Sequence, residues 1–208
     1  MINNFEKLNY IMKRNLGHSY YFFVALKRRK DDPKALQIKE SKTIKTWIVT
    51  DHNDLEQYVD EMKKVITDNK CRLYMCTDRK SYVKSMVSLR DDINKLLDSA
   101  LCNPRAEFSA KKYAKLLTSN CMKDSASDKE SKYWLFDIDS KSQALLDKII
   151  GICDNYYKAT FETINGYHII AERKFNAHAE LHALKYHTIG EIPVEVKENA
   201  MVLVATGF

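Results

Sequence analysis

Two aspartates, Asp137 and Asp139, stand two residues apart in the otherwise apolar run YWLFDID, residues 133–139. Such a run reads as a β-strand, in which successive side chains point to opposite faces. Trp134, Phe136 and Ile138 then share one face, and Tyr133, Leu135, Asp137 and Asp139 share the other. The two carboxylates lie roughly 7 Å apart along the strand. Like charges that close repel, and water or a cation between them relieves the repulsion. A divalent ion with oxygen ligands, Mg²⁺ or Mn²⁺ beside substrate phosphates, is the chemistry such a pair suits. The competing reading makes Asp137 simply exposed and Asp139 the N-cap of a helix starting near residue 142.

A histidine follows in TINGYHII, residues 163–170. Asn165-Gly166 between β-forming runs predicts a two-residue type I′ hairpin turn, which needs positive φ at both positions. That register sets Ile164 against Tyr167 and Thr163 against His168. His168 and Ile170 then share a face, with Tyr167 and Ile169 on the other. A hairpin lying beside strand 133–139 brings His168 to the face of the aspartates, where an imidazole can contact a triphosphate or orient a metal-bound group. A half-buried histidine bonded to backbone is the alternative.

The remaining elements must position these groups. Residues 1–15 carry apolar Phe5, Leu8 and Ile11 and predict a short helix. SYYFFVAL (19–26) and TIKTWIVT (43–50) read as strands joined by a charged hairpin through 27–42. Leu55, Tyr58, Val59, Met62, Val65 and Ile66 fall at helical spacing, behind Asn53 and Glu56 placed as a capping box. CRLYMCT (71–77) predicts a buried strand, and residues 79–101 a long amphipathic helix. This β-α-β-α rhythm is an α/β signature. SAKKYAKLL (109–117) looks helical, and the serine-rich stretch that follows predicts an exposed loop, with a boundary near residue 125. The second half runs β-α-β-β-α-β, a ferredoxin-like or RNA-recognition-type order, with one or two strands in IPVEVKENAMVLVATGF (192–208). The expected fold is thus α/β (α+β): an N-terminal lobe, 1–125, and an RNA-recognition-like core, 126–208, together one compact unit.

The 208 residues carry a formal net charge of +6, which permits a phosphate-bearing partner. Lys27, Arg28, Arg29 and Lys30, with Lys34, Lys39, Lys42 and Lys45, make the N-terminal hairpin basic, suited either to nucleic-acid backbone or to water. Arg72, Arg79 and Lys80 flank a strand end and are candidates for triphosphate or template contact. His178 and His182 share a helix face at i and i+4, a spacing that can hold zinc, although surface histidines are the simpler reading. Five cysteines without a C-x-x-C pair argue against a disulfide framework and for a reducing compartment. There is no apolar run of 18 residues, no signal-peptide core and no P-loop, so the expectation is a cytoplasmic protein (host cytoplasm if viral) without membrane contact.

A hydrophobic strand ending in D-x-D, a helix, and a strand carrying small-x-His on a ferredoxin-like core resembles the archaeo-eukaryotic primase superfamily, the primase-polymerases included. Asp137 and Asp139 match its acidic motif, and Gly166 and His168 its histidine motif. For its third acidic residue, Glu195 in IPVEVKEN stands where the family more often has Asp, with Glu198 as the fallback. RLYMCTDRKSY, TINGYHIIAERKFN and VKENAMVLVA are also similar to small phage-encoded primase-like proteins. The resemblance covers the second half well and the first half loosely. It implies Mg²⁺ or Mn²⁺ held by Asp137, Asp139 and Glu195, and nucleotide phosphates contacted by His168. It also implies single-stranded nucleic acid as partner, and primer synthesis or extension in viral DNA replication as the function. No zinc module or accessory domain is evident, which points to work alongside a replication-protein partner. The alternatives are an inactive nucleotide- or nucleic-acid-binding protein on the same fold, or a metal-dependent phosphodiesterase.

Overall fold

The computed structural model describes residues 1–12, 18–31, 41–102, 116, 118–128, 131–186 and 193–208. Most of the 109–117 helix, Lys34, Lys39 and His187 lie outside the described residues. Within them the protein is mixed α/β with two antiparallel sheets. The first has the order β2 (Ser41–Val49), β1 (Ser19–Arg28), β3 (Arg72–Cys76), β9 (Met201–Thr206), with the short β4 (Lys80–Ser81) also pairing with β1. The second has the order β6 (Tyr157–Glu162), β7 (Tyr167–Glu172), β5 (Tyr133–Ile138), β8 (Val194–Lys197). Four helices with described bounds are α1 (His52–Asn69), α2 (Tyr82–Cys102), α3 (Gln143–Cys153) and α4 (Ala177–Tyr186), and residues 118–122 are helical as well.

The strand–helix rhythm of the first half does not build a parallel sheet. β1 pairs antiparallel with β2 on one side and with β3 on the other. The connection through α1 carries the chain past β1, so β2 and β3 run the same way without touching. The N-terminal helix is a 3-10 helix at Phe5–Tyr10, and the helix expected from residue 79 begins at Tyr82, after β4. The boundary near 125 is not a break between the sheets. β9 leaves the second half and pairs with β3, and Asn3 bridges to Ala205 beyond it.

Alternation along the strands sorts the core. Trp134, Phe136 and Ile138 pack with Leu146, Ile149 and Cys153 of α3 and Leu181 of α4. Tyr133, Leu135, Phe161 and Ile170 join the other core, with Tyr21 and Phe23 of β1, Leu73 and Met75 of β3, and Leu55, Met62 and Ile66 of α1. One apolar cluster thus draws on both sheets and fixes them against each other.

Helix α1 is capped by Asp51, whose Oδ1 accepts from the Asp54 N–H at 3.0 Å, and not by Asn53. Asp51→Ala is expected to cost about 1 kcal/mol and to lower the thermal midpoint by about 2–4 °C. Calorimetry checks this, and an unchanged midpoint would discount the cap. Helix α3 is capped by Ser142, whose Oγ accepts from the Leu145 N–H at 3.3 Å. Asp139 is therefore not a helix cap and its carboxylate is left for other work.

Candidate active site

The turn that presents His168 differs from the expected one. Glu162 lies opposite Tyr167, and Phe161 opposite His168. Thr163 N–H donates to Gly166 C=O at 2.9 Å, and Gly166 N–H donates to Thr163 Oγ1 at 3.0 Å. Ile164 and Asn165 are the loop residues, and neither has positive φ. Nor does Gly166, so its value is not conformational freedom. A Cβ built on it would stand 1.8 Å from Ile138 C=O and 2.7 Å from Ser140 N. Glycine is needed because the turn lies directly on the end of β5.

That approach sets the register of β7 on β5. Asp137 lies directly opposite His168 on one side and Glu195 of β8 on the other. The three residues form a row across neighbouring strands, where side chains directly opposite stand close enough to interact. His168 Nε2 is 3.3 Å from Asp137 Oδ1. The Leu203 N–H of β9 donates to His168 Nδ1 at 3.3 Å. With Nδ1 accepting, a neutral ring carries its proton on Nε2 and donates it to the carboxylate. Asp137 Oδ2 accepts from Lys197 Nζ at 2.5 Å, and the same ammonium is 3.1 Å from Glu195 Oε2.

These contacts set the charges. The bond from His168 holds the Asp137 carboxyl far below the usual carboxylate range, against burial and with help from Lys197. Burial alone lowers an ammonium, but the bonds to Asp137 and Glu195 outweigh it and raise Lys197 above its ordinary value.

The row opens on a cleft of about 620 Å³, lined from the second sheet by Leu135, Asp137, Asp139, His168 and Lys197. Across it stand Arg28, Lys30, Arg72 and Tyr74. Arg72 is buried against Asp31, with Nε donating to Oδ2 at 2.7 Å and Nη2 to Oδ1. Arg28 Nη1 donates to Tyr74 Oη at 3.2 Å. Partial desolvation, then the charges of Arg28 and Arg72, lower the Lys30 ammonium below its usual value, and Asp31, then Asp139, partly offset them. Crowded cations of this kind favour an anion among them.

Of the residues singled out from sequence, the cleft gathers Asp137, Asp139, His168, Arg72, Arg28 and Lys30. Glu195 is a neighbour through Lys197, with its side chain 75% exposed. Glu198 lines the cleft and pairs with Arg173 at 2.6 Å. Lys27 lies on β1 and Arg29 in the following 3-10 turn, and neither lines the cleft. Arg79 and Lys80 are buried elsewhere. Arg79 pairs with Asp128 at 2.6 Å, and Lys80 donates to Ser127 Oγ at 2.8 Å and to Asn199 Oδ1. Asn199 has a left-handed φ of 45° between β8 and β9, so Lys80 anchors the turn that delivers β9. His178 meets Trp134 edge-on, with ring centroids 5.3 Å apart. Two partners went unread: Lys197, which alternation places on the face of Glu195, and the Leu203 amide, which only the tertiary fold supplies.

The donor set fits a divalent ion in chemistry. Asp137, Asp139 and Glu195 offer the hard oxygen ligands Mg²⁺ and Mn²⁺ prefer, and a cation, the Lys197 ammonium, already stands between two of them. Among the described residues no three His, Cys, Asp or Glu side chains are drawn round one point. No helix among them is long and apolar enough to cross a membrane. No protein-family model matches the chain, and no curated protein or solved structure matches it either.

Proposed function

We propose that the protein is a primase-polymerase-like, metal-dependent nucleotidyltransferase acting on nucleic acid, with the second sheet as a ferredoxin-like catalytic core. The observation that carries this reading is the row His168–Asp137–Glu195 on three neighbouring strands, of which His168 and Asp137 line a cleft with a basic opposite wall. The strand order β6-β7-β5-β8 and its β-α-β-β-α-β connection support it. Asp137, Asp139 and Glu195 would hold Mg²⁺ or Mn²⁺. When bound, such an ion activates an attacking 3′-hydroxyl and stabilises the leaving pyrophosphate. His168 orients Asp137 through its Nε2 proton while the Leu203 amide fixes the tautomer. Arg28 and Lys30 attract the phosphates of a nucleotide or of single-stranded nucleic acid.

The test is primer synthesis and extension on single-stranded DNA with labelled nucleotides and Mn²⁺ or Mg²⁺, wild type beside Asp137→Ala. Product from wild type alone is expected. No product from either protein, with nucleotide or DNA still bound, would replace the reading by binding without turnover. One observation favours that second reading: Asp137 has both oxygens engaged by the protein's own groups, Lys197 and His168.

A further inference from the structure

Lys197 carries an inference that rests on the reading above and deepens it. Its ammonium touches Asp137 Oδ2 at 2.5 Å and Glu195 Oε2 at 3.1 Å. An ion ligated by both oxygens would need them about 2.1 Å away for Mg²⁺. The ammonium already contacts both oxygens, so an ion ligated by both would compete with it for them. Lys197 is not locked in place, because its side chain is 42% exposed and lines the cleft on a flexible four-carbon stem.

The other charges around it leave the competition to this residue. His168 faces Asp137 from β7, with Nε2 3.3 Å from the other oxygen. Glu198, next in the chain, is turned to Arg173. Arg28 and Lys30 stand on the opposite wall, and Asp139 stands beyond the end of β5. Without an ion, the ammonium neutralises two carboxylates held side by side on adjacent strands, which would otherwise repel.

We propose that Lys197 is a built-in counter-ion holding the place of one divalent cation, so that the cation enters only by displacing it. Lys197 is thus a positioning residue that weakens ion affinity and keeps the empty site folded.

The experiment measures Mn²⁺ binding by the electron paramagnetic resonance signal of the free ion, without nucleotide or nucleic acid. It compares wild type, Lys197→Met, and Lys197→Met combined with Asp137→Asn. Methionine keeps the stem and removes the charge. Removing a like charge at contact distance is expected to tighten Mn²⁺ binding by about tenfold or more, and the added Asp137→Asn change to abolish that gain. Mn²⁺ should also raise the thermal midpoint of Lys197→Met more than that of wild type. Equal or weaker Mn²⁺ binding by Lys197→Met overturns the proposal, as does no binding by either protein. If Lys197→Met fails to fold in metal-free buffer, Lys197→Gln is measured in its place against the same criteria. The two readings fail separately. Tighter binding by the variant with no primer product from wild type sinks the transferase and leaves the counter-ion, whereas product with unchanged Mn²⁺ affinity does the reverse.

Discussion

Replacing Asp137 by asparagine is expected to lower the rate of labelled product formation by about a hundred- to a thousandfold, the loss that follows removal of one preorganised electrostatic group. The amide keeps the shape of the carboxylate and still accepts from His168 Nε2, so the row across the strands remains in place. What disappears is the charge that pairs with Lys197 and would serve a metal. The measurement is initial rate against wild type, with circular dichroism to show an intact fold. A variant turning over at the wild-type rate would remove Asp137 from the chemistry. Stability supplies an independent readout. The folded-state pKa of Asp137 is depressed, first by His168 and also by Lys197, with burial opposing. A depressed carboxyl contributes its stability above its unfolded pKa, about 4, and loses it as pH falls through the folded value. Wild type should therefore lose thermal stability below about pH 4, and Asp137→Asn should flatten part of that slope. Melting curves between pH 3 and 6 would show parallel slopes if the Asp137 contacts contributed nothing.

Gly166→Ala is expected to destabilise the protein by about 3 kcal/mol, at the upper end of what overpacking costs, and to lower its midpoint by roughly 10 °C. A methyl 1.8 Å from a backbone oxygen cannot be accommodated by turning a side chain, because the obstacle is Ile138 C=O in a paired strand. Either the 163–166 turn lifts off β5 or the end of β5 moves. Both displace His168, two residues on, from Asp137. The change should thus cost activity as well as stability, and denaturant unfolding beside an initial-rate assay reads both. A protein of wild-type stability would mean that the close approach is not rigid.

The sequence made the second half legible because the clues there are local. Alternation alone assigned Trp134, Phe136 and Ile138 to one face and the aspartates to the other, and a β-forming run around Asn-Gly marked a hairpin. The same local reasoning missed the hairpin register by two residues, which leaves the faces unchanged. It treated Gly166 as a conformational device, whereas the glycine answers to a strand 28 positions earlier in the chain. Arg79 and Lys80 read as candidates for phosphate contact because nothing nearby in sequence foretells Asp128, Ser127 or Asn199 folding over them. Asp51 and Asn53 are both side chains able to cap a helix, and the choice between them depends on which backbone turn forms. Lys197 was within reach of the alternation rule. Its partner across the strand was not, since the pairing of β8 with β5 depends on the intervening fold.

The bond from the Leu203 amide to His168 bears on when a newly made chain becomes competent. Residues 201–206 leave the ribosome after every other element that lines the cleft, and they must pair with residues 72–76 and with the first residues of the chain. Contacts so distant in sequence form slowly. An incomplete chain can already hold the aspartates, the histidine and the basic wall, yet leave the imidazole free to carry its proton on either nitrogen. Ordering of the imidazole is thereby made a late event in folding, after the other groups of the cleft are in place.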